Sequence, residues 1–294
     1  VTPGPDAAAV ARLLAAQVPA LAGLPVAPFG PGGTENALWR IGEGAVARFP
    51  RTAAAAGRTR REIAWLPRLP ALPLDAPSLI AAGRPGEGWD RPWAVLTLLP
   101  GADALAAPPA ALTPALAALI GVLRAAPVPR GLPRAGPGRL GPASLALARR
   151  MAARFRPDEG DPDRLLGLIS AAARLPAHAG PPVWSHGDLH PLNLLVRGGS
   201  LSAVIDWGTL AAADPARDLI CAWTLCDAPG RAALHAALCP DPAEWRRARA
   251  AALVMAVQAI PFHRKANPRF AAAMRRTLAE ALAEMPADPA GAPG

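Results

Sequence analysis

The chain has 294 residues, 52% of them apolar, which suits one large domain or two lobes sharing a site. It carries 31 Lys and Arg against 22 Asp and Glu, a net charge of +9. Lysine occurs once, at Lys265, and the arginines are scattered in short runs such as Arg60-Arg61 and Arg275-Arg276. With no aromatic-interleaved basic stripe and no zinc-finger spacing, this charge reads as a solvated surface, and no nucleic-acid partner is expected.

The first hundred residues read as short strands, one helix and Pro-rich connections. A strand over 26–29 precedes a turn rich in Gly30, Gly32 and Gly33, and strands over 37–41 and 45–49 pair as a hairpin around Gly42-Glu43-Gly44. A helix is expected over 53–69, carrying Glu62, and an apolar strand over 93–98 leads into Pro100-Gly101, a natural boundary between units. Beyond it helices dominate. Thr113-Pro114 and Asp161-Pro162 both read as helix starts, because a side-chain oxygen caps free amides and proline is preorganised at the first helical position. Two further helices are expected over 242–260 and 268–285. Between the helical regions lies a β segment at 183–185, 194–196 and 201–205, with a Gly198-Gly199 turn.

The uncharged stretch 104–123 contains Pro108, Pro109 and Pro114, so no membrane span is expected. Cys221, Cys226 and Cys239 match no disulfide or zinc spacing and read as buried apolar residues. No signal-peptide pattern is seen, and a cytoplasmic location is expected.

The informative stretch is His186-Gly187-Asp188-Leu189-His190-Pro191-Leu192-Asn193, followed by Ile205-Asp206-Trp207-Gly208. Phosphoryl transfer from ATP needs a carboxylate to orient the acceptor hydroxyl and take its proton. It also needs oxygen ligands for Mg²⁺, which neutralises the phosphates. Asp188 suits the first role. Asn193, five residues on, and Asp206, beyond a hairpin, suit the second.

These residues resemble the catalytic segments of the aminoglycoside phosphotransferase family, whose pattern is HGDxHxxN, then IDxG, then DPxxDL; the third element stands here as Asp214-Pro215-Ala216-Arg217-Asp218-Leu219. The resemblance implies an α+β, bilobal protein-kinase-like fold, with a small β-rich N-lobe over 1–99 and a larger, mainly helical C-lobe over 100–294. It implies Asp188 as catalytic residue, Asn193 and Asp206 as metal ligands, and His186, His190 and Asp218 as supports of the catalytic loop. Gly33, Thr34 and Asn36 resemble the family's nucleotide loop, although the same residues also suit an ordinary hairpin. Arg48 falls at the phosphate-binding basic position, with Glu62 as its helix partner and Arg51 as the alternative holder of that role. Thr97 to Leu99 falls at the strand whose backbone meets the adenine edge. The implied cofactors are ATP, with GTP as the alternative, and Mg²⁺. The implied partner is a small-molecule hydroxyl acceptor.

Most kinases carry Lys where this chain has Arg48, and Arg differs in bulk and geometry. A nucleotide-binding pseudokinase acting as a regulatory module is therefore the alternative function. Gly136-Pro137-Gly138-Arg139-Leu140-Gly141 satisfies G-x-G-x-x-G but follows a Pro-rich loop, so no dinucleotide site is read there, and a Walker loop is excluded by the lone lysine. For the acceptor, the sequence offers Asp158, Glu159, Asp161 and Asp163. On the resemblance they lie near an acceptor-binding loop; on their own they read as a cap at Asp161 with a solvated turn. A polyamine sugar would call for a carboxylate-lined pocket. Aminoglycosides, macrolides, peptide antibiotics and small metabolic alcohols all stay open as acceptors.

Overall fold

The computed structural model describes residues 2–30 and 35–284. The chain forms two compact units, Val1–Ala102 with Ser202–Leu210, and Asp103–Leu201 with Ala211–Gly294. The boundary near residue 102 lies just past Pro100-Gly101. The return of residues 202–210 to the first unit was not expected from the sequence, which put them with the helical part.

In the first unit, helix α1 (Ala7–Gln17) starts where Asp6 accepts the amide of Ala9 at 2.7 Å, and it buries Val10, Leu13 and Leu14. Strands β1 (Val26–Pro28), β2 (Asn36–Ile41) and β3 (Ala45–Pro50) precede helix α2 (Ala53–Trp65), which is followed by β4 (Leu79–Gly83) and β5 (Trp93–Thr97). The five strands form an antiparallel sheet in the order β1-β2-β3-β5-β4. The β2–β3 hairpin closes with Ile41 opposite Ala45, and Gly42, at φ +53°, takes the left-handed turn position that favours glycine.

Alternation along β3 decides what each face does. Ala45, Ala47 and Phe49 point into a core shared with α1, where Phe49 stacks on Trp93 with ring centroids 5.0 Å apart. Gly83 permits that packing, since a Cβ there would lie 2.0 Å from the Trp93 ring. Arg48 is on the opposite face, toward α2. Helix α2 is capped by Thr52 and buries Ala55, Ala56, Thr59 and Glu62 on one side. It ends at Trp65 rather than Leu69 because Pro67 has no N–H to donate back to Ile63; a 3-10 turn over Leu66–Arg68 replaces the last α turn.

Strand β6 (Ala102–Asp103) lies at the passage between the units. The second unit contains α3 (Pro109–Ala125), α4 (Pro142–Ala152) and α5 (Pro162–Ala172). Next come β7 (Val183–Ser185), β8 (Leu194–Arg197) and β9 (Ser200–Val204), along which the chain returns to the first unit. The remaining elements are β10 (Ala211–Ala213), α6 (Cys221–Thr224), α7 (Ala228–Leu238), α8 (Pro242–Ala266) and α9 (Pro268–Ala283). Helices α3, α4, α5, α8 and α9 each begin on a proline, which gives the Pro-rich composition a structural role.

The start expected at Asp161-Pro162 is found, with Asp161 accepting the amide of Asp163 at 3.0 Å. The start expected at Thr113-Pro114 is corrected. Helix α3 begins at Pro109, Pro114 lies inside it, and the Thr113 hydroxyl donates to the Pro109 carbonyl at 3.2 Å instead of capping. Pro108-Pro109 supplies the earlier preorganised start, and burial of Leu112, Leu116, Leu119, Ile120 and Leu123 holds the helix through the proline. Helix α8 likewise runs on through Pro261 to Ala266. The expected helix over 268–285 ends at Ala283, and Met285 lies outside the described residues. All three cysteines are free; Cys221 and Cys226 are buried as expected, whereas Cys239 is exposed at the end of α7. Among the described residues no helix is long and apolar enough to cross a membrane.

Candidate active site

In the first unit the side chains that matter meet around Arg48. Its Nη1 donates to both carboxylate oxygens of Glu62, at 3.0 and 2.9 Å, and its Nη2 donates to Asp206 Oδ1 at 3.1 Å. Burial works against the guanidinium's charge, but Glu62 and Asp206 outweigh it and raise its pKa above the ordinary arginine value. The pair with Glu62 is made by Arg48.

Residues 202–210 reach this place through backbone bonds at Asp75, whose N–H donates to Ser202 O at 3.0 Å and whose carbonyl accepts from Val204 N at 2.9 Å. Trp207 is fully buried, and its amide donates to Glu62 Oε1 at 3.1 Å. Glu62 thereby ties β3, α2 and the Asp206 turn together. Asp206 itself adopts φ +63°, a left-handed conformation uncommon outside glycine and Asn/Asp.

In the second unit β7 delivers the His186–Asn193 loop. Asp218, almost fully buried, accepts from the Ser185 hydroxyl at 3.0 Å, from the His186 amide at 2.9 Å and from the Gly187 amide at 2.6 Å. Gly187 has φ +84°, and a Cβ there would lie 2.3 Å from the guanidinium carbon of Arg217. The positive φ favours glycine at this position, and a Cβ would also have to displace the guanidinium end of Arg217.

The loop then folds on itself. The Asp188 amide donates to His186 Nδ1 at 3.2 Å, the Leu192 amide to His190 Nδ1 at 3.2 Å, and Asn193 Nδ2 to the Asp188 carbonyl at 2.9 Å. The buried Leu189 anchors the loop, its carbonyl accepting from the Thr224 hydroxyl at 3.2 Å. His190 Nε2 lies 3.5 Å from Asp188 Oδ2 and 3.3 Å from Asn193 Nδ2. Asp188 is a quarter exposed, and its Oδ1 accepts from Arg139 Nη2 at 2.8 Å. Burial opposes its ionisation, but His190 and Arg139 outweigh that effect and hold the carboxyl well below the usual carboxylate range.

Within the second unit, then, Asp188, His186, His190, Asn193 and Asp218 come together; within the first, Arg48, Glu62 and Asp206 do. Asn36 opens β2 opposite Pro50, and Thr97 ends β5, its hydroxyl accepting the Ser78 amide at 2.8 Å, with Leu99 two residues beyond. Gly33 and Thr34 lie outside the described residues. The acidic cluster is not a unit. Glu159 is buried and held by Arg264, Arg275 and the Arg156 amide, with its carboxyl lowered to about 2: burial raises it, but the two arginines outweigh that. Asp161 is a cap, and Asp158 and Asp163 are exposed. Sequence reading missed Arg139, which touches Asp188 from 49 residues away, and Arg217, which packs on Gly187. The only signal for Arg139 was a lone arginine in the Gly-rich 136–141 segment.

Asp206 offers a carboxylate. Asn193 turns its amide nitrogen into the loop, leaving its oxygen as the donor to a cation. Among the described residues no group of three or more His, Cys, Asp or Glu side chains is arranged to hold a metal ion. The Asp206 and Asn193 oxygens are each of the kind Mg²⁺ takes, a cation bound through one or two protein oxygens together with substrate phosphates rather than in an all-protein cage.

An antiparallel sheet bearing a strand–helix Arg–Glu pair, combined with a helical unit carrying a braced His-Gly-Asp loop, defines the kinase-like phosphotransferase fold. Solved structures agree. The GDP and kanamycin complex of APH(2")-IIia superposes with a TM-score of 0.70 at 20% identity, covering 93% of this chain and 98% of that one. ADP-bound aminoglycoside phosphotransferase APH(2'')-Ib gives 0.58 at 14% identity, over 94% and 99%. The apoenzyme of macrolide 2'-phosphotransferase MphH from Brachybacterium faecium gives 0.56 at 21%, over 96% and 99%. Comparison with curated protein sequences gives no match. The family model described as the phosphotransferase enzyme family matches residues 26–252, and the chain belongs to that family.

Proposed function

We propose that the protein transfers the γ-phosphoryl group of ATP, in a Mg²⁺-dependent reaction, to a hydroxyl of a small molecule. The observation that carries this reading is the Asp218-braced loop, which presents an ionised, partly exposed Asp188 beside Asn193 in a chain of this family.

Asp188 accepts a hydrogen bond from the acceptor hydroxyl, aims its oxygen at the γ-phosphorus and takes its proton. The new O–P bond forms as the bond from the γ-phosphorus to the β–γ bridging oxygen breaks, and that electron pair leaves with the nucleoside diphosphate. A weakly basic carboxylate suffices, because orientation counts for more than proton abstraction in a loose transition state. Arg48, fixed by Glu62, grips phosphate oxygens. Asn36 approaches the phosphates through its backbone amide, and the backbone from Thr97 to Leu99 meets the base. Asn193 and Asp206 would hold Mg²⁺, which would neutralise charge on the phosphates. His186, His190 and Asp218 keep the loop in shape.

Thermal unfolding with ATP, ADP and GTP, with and without Mg²⁺, tests the nucleotide half of this reading. A nucleotide at a hundred times its dissociation constant stabilises by about 2.7 kcal/mol. Mg²⁺-dependent stabilisation that Asp206→Ala abolishes supports the assignment; absence of any nucleotide effect refutes it. The salt bridge from Arg48 to Asp206 favours a second reading, a nucleotide-binding pseudokinase, because it engages a metal ligand. That reading requires tight ATP binding, no transfer to any acceptor, and no gain from Arg48→Lys.

A further inference from the structure

The connection between α3 and α4 adds to the Asp188 loop a side chain that none of the motifs contains. Arg139 donates from Nη2 to Asp188 Oδ1 at 2.8 Å and from Nη1 to Gln258 Oε1 of α8 at 3.3 Å, while its Nε is buried without an acceptor. Gln258 donates in turn to the carbonyl and hydroxyl oxygens of Ser144, at 2.7 and 2.8 Å, near the start of α4. The guanidinium is therefore held by packed helices, and its side chain remains 29% exposed, enough to meet a ligand.

The other carboxylates of this unit are largely engaged elsewhere. Arginines take Glu159, Asp214 and Glu244, and helix N-termini take Asp161, Asp227 and Asp241. An ammonium-rich acceptor brought to Asp188 meets a fixed positive charge beside it, a like-charge juxtaposition that disfavours it. An anionic group next to the reacting hydroxyl meets the opposite situation. It finds a planar fork of N–H donors matched to carboxylate or phosphate oxygens, in which Nη1 and Nη2 each keep one N–H beyond those given to Gln258 and Asp188.

We propose that Arg139 reads the acceptor, and that the acceptor is an alcohol bearing a carboxylate or phosphate beside the hydroxyl it presents to Asp188, not a polyamine. This rests on the phosphotransfer reading above. Arg139 engages the anion while Asp188 takes the hydroxyl, so selectivity lies in a residue next to the base.

The test compares matched acceptors that differ only in the anion, D-glycerate against glycerol and glucose 6-phosphate against glucose, with kanamycin as the polycation. Acceptor-dependent ADP release is measured for wild type, Arg139→Gln and Arg139→Lys. Wild type is expected to favour the anionic member of at least one pair by about 100-fold in kcat/KM, and the pair that shows it tells carboxylate from phosphate. Arg139→Gln is expected to bring that ratio within about threefold of unity, and Arg139→Lys to restore part of it. If Arg139 merely positioned Asp188, both members of a pair would fall together and the ratio would survive in Arg139→Gln. That result, or better turnover of the neutral alcohol or of kanamycin, overturns the proposal. Should no alcohol gain a phosphoryl group, the phosphotransfer reading fails by itself. Calorimetric binding of the same pairs to the ADP- and Mg²⁺-treated protein then decides the inference: an anion preference lost in Arg139→Gln upholds it, and equal binding of the paired members overturns it.

Discussion

Replacing Asp218 by Asn changes one atom's chemistry at a site that is 3% exposed, and its consequence can be worked from three hydrogen bonds. Oδ1 accepts from the Ser185 hydroxyl and the Gly187 amide, and Oδ2 accepts from the His186 amide. An asparagine oxygen can keep the first two, but its NH₂ then faces the His186 N–H, donor against donor. One buried amide loses its acceptor, at about 1–3 kcal/mol, and two charge-assisted bonds become neutral ones. Less burial of charge offsets part of this, leaving about 2–4 kcal/mol of destabilisation. The loop that carries Asp188 moves with its brace, and a displacement of about 1 Å at a reacting group costs about 100-fold in rate. Urea denaturation and acceptor turnover of Asp218→Asn measure the two effects, with the exposed Asp163→Asn as a control expected within about 0.5 kcal/mol of wild type. A denaturation midpoint and turnover indistinguishable from the control would refute the idea that Asp218 braces the loop.

Three further outcomes are expected. The Glu159 carboxyl, held at about 2 against an ordinary 4.5, contributes stability fully present above about 4.5 and lost as pH falls through about 2. Glu159→Gln is therefore expected to be less stable than wild type by about 3 kcal/mol at neutral pH, with the two denaturation curves converging in acid. Arg48→Gln leaves Glu62 buried without its countercharge; it is expected to lower the denaturation midpoint by an amount equivalent to about 3 kcal/mol and to weaken nucleotide binding at least about tenfold by calorimetry. Gly187→Ala forces a Cβ to within 2.3 Å of the Arg217 guanidinium carbon at φ +84°. It is expected to cost at least about 1–2 kcal/mol in thermal unfolding and to reduce turnover.

What the sequence made legible was local. The loop from His186 to Asn193 and the Asp206 turn carry their chemistry at short fixed spacings, so the side chains that meet within each are written close together. The β2–β3 hairpin was legible for the same reason, with Gly42 at its turn. Contacts that span the chain were not legible. Arg139 reaches Asp188 across 49 residues, and nothing in the 136–141 segment distinguishes a guanidinium that finds a carboxylate from one that finds water. Strand β10 is three alanines, with no β-branched residue or alternation to mark it; pairing with β7 and a bridge to Arg134 make it a strand. Helix α1 was missed because its Ala-rich pattern is short, although Asp6 before Val10, Leu13 and Leu14 was a start signal. Glu159 looked like part of an acidic surface, since the arginines that bury it come 105 and 116 residues later. Local electrostatics follow from spacing, whereas neutralisation by distant partners follows only from packing.

The direct measurement is product formation. Wild type and Asp188→Asn are incubated with ATP, Mg²⁺ and a panel of hydroxylated acceptors, and phosphorylated products are identified by mass spectrometry and phosphorus NMR. The expected result is a phosphate ester on a hydroxyl of at least one acceptor in wild type, with turnover reduced by about 100-fold or more in Asp188→Asn while nucleotide binding is retained. Equal turnover in the variant, or ATP bound by wild type with no ester formed on any acceptor, would contradict the assignment of Asp188 and of phosphotransfer.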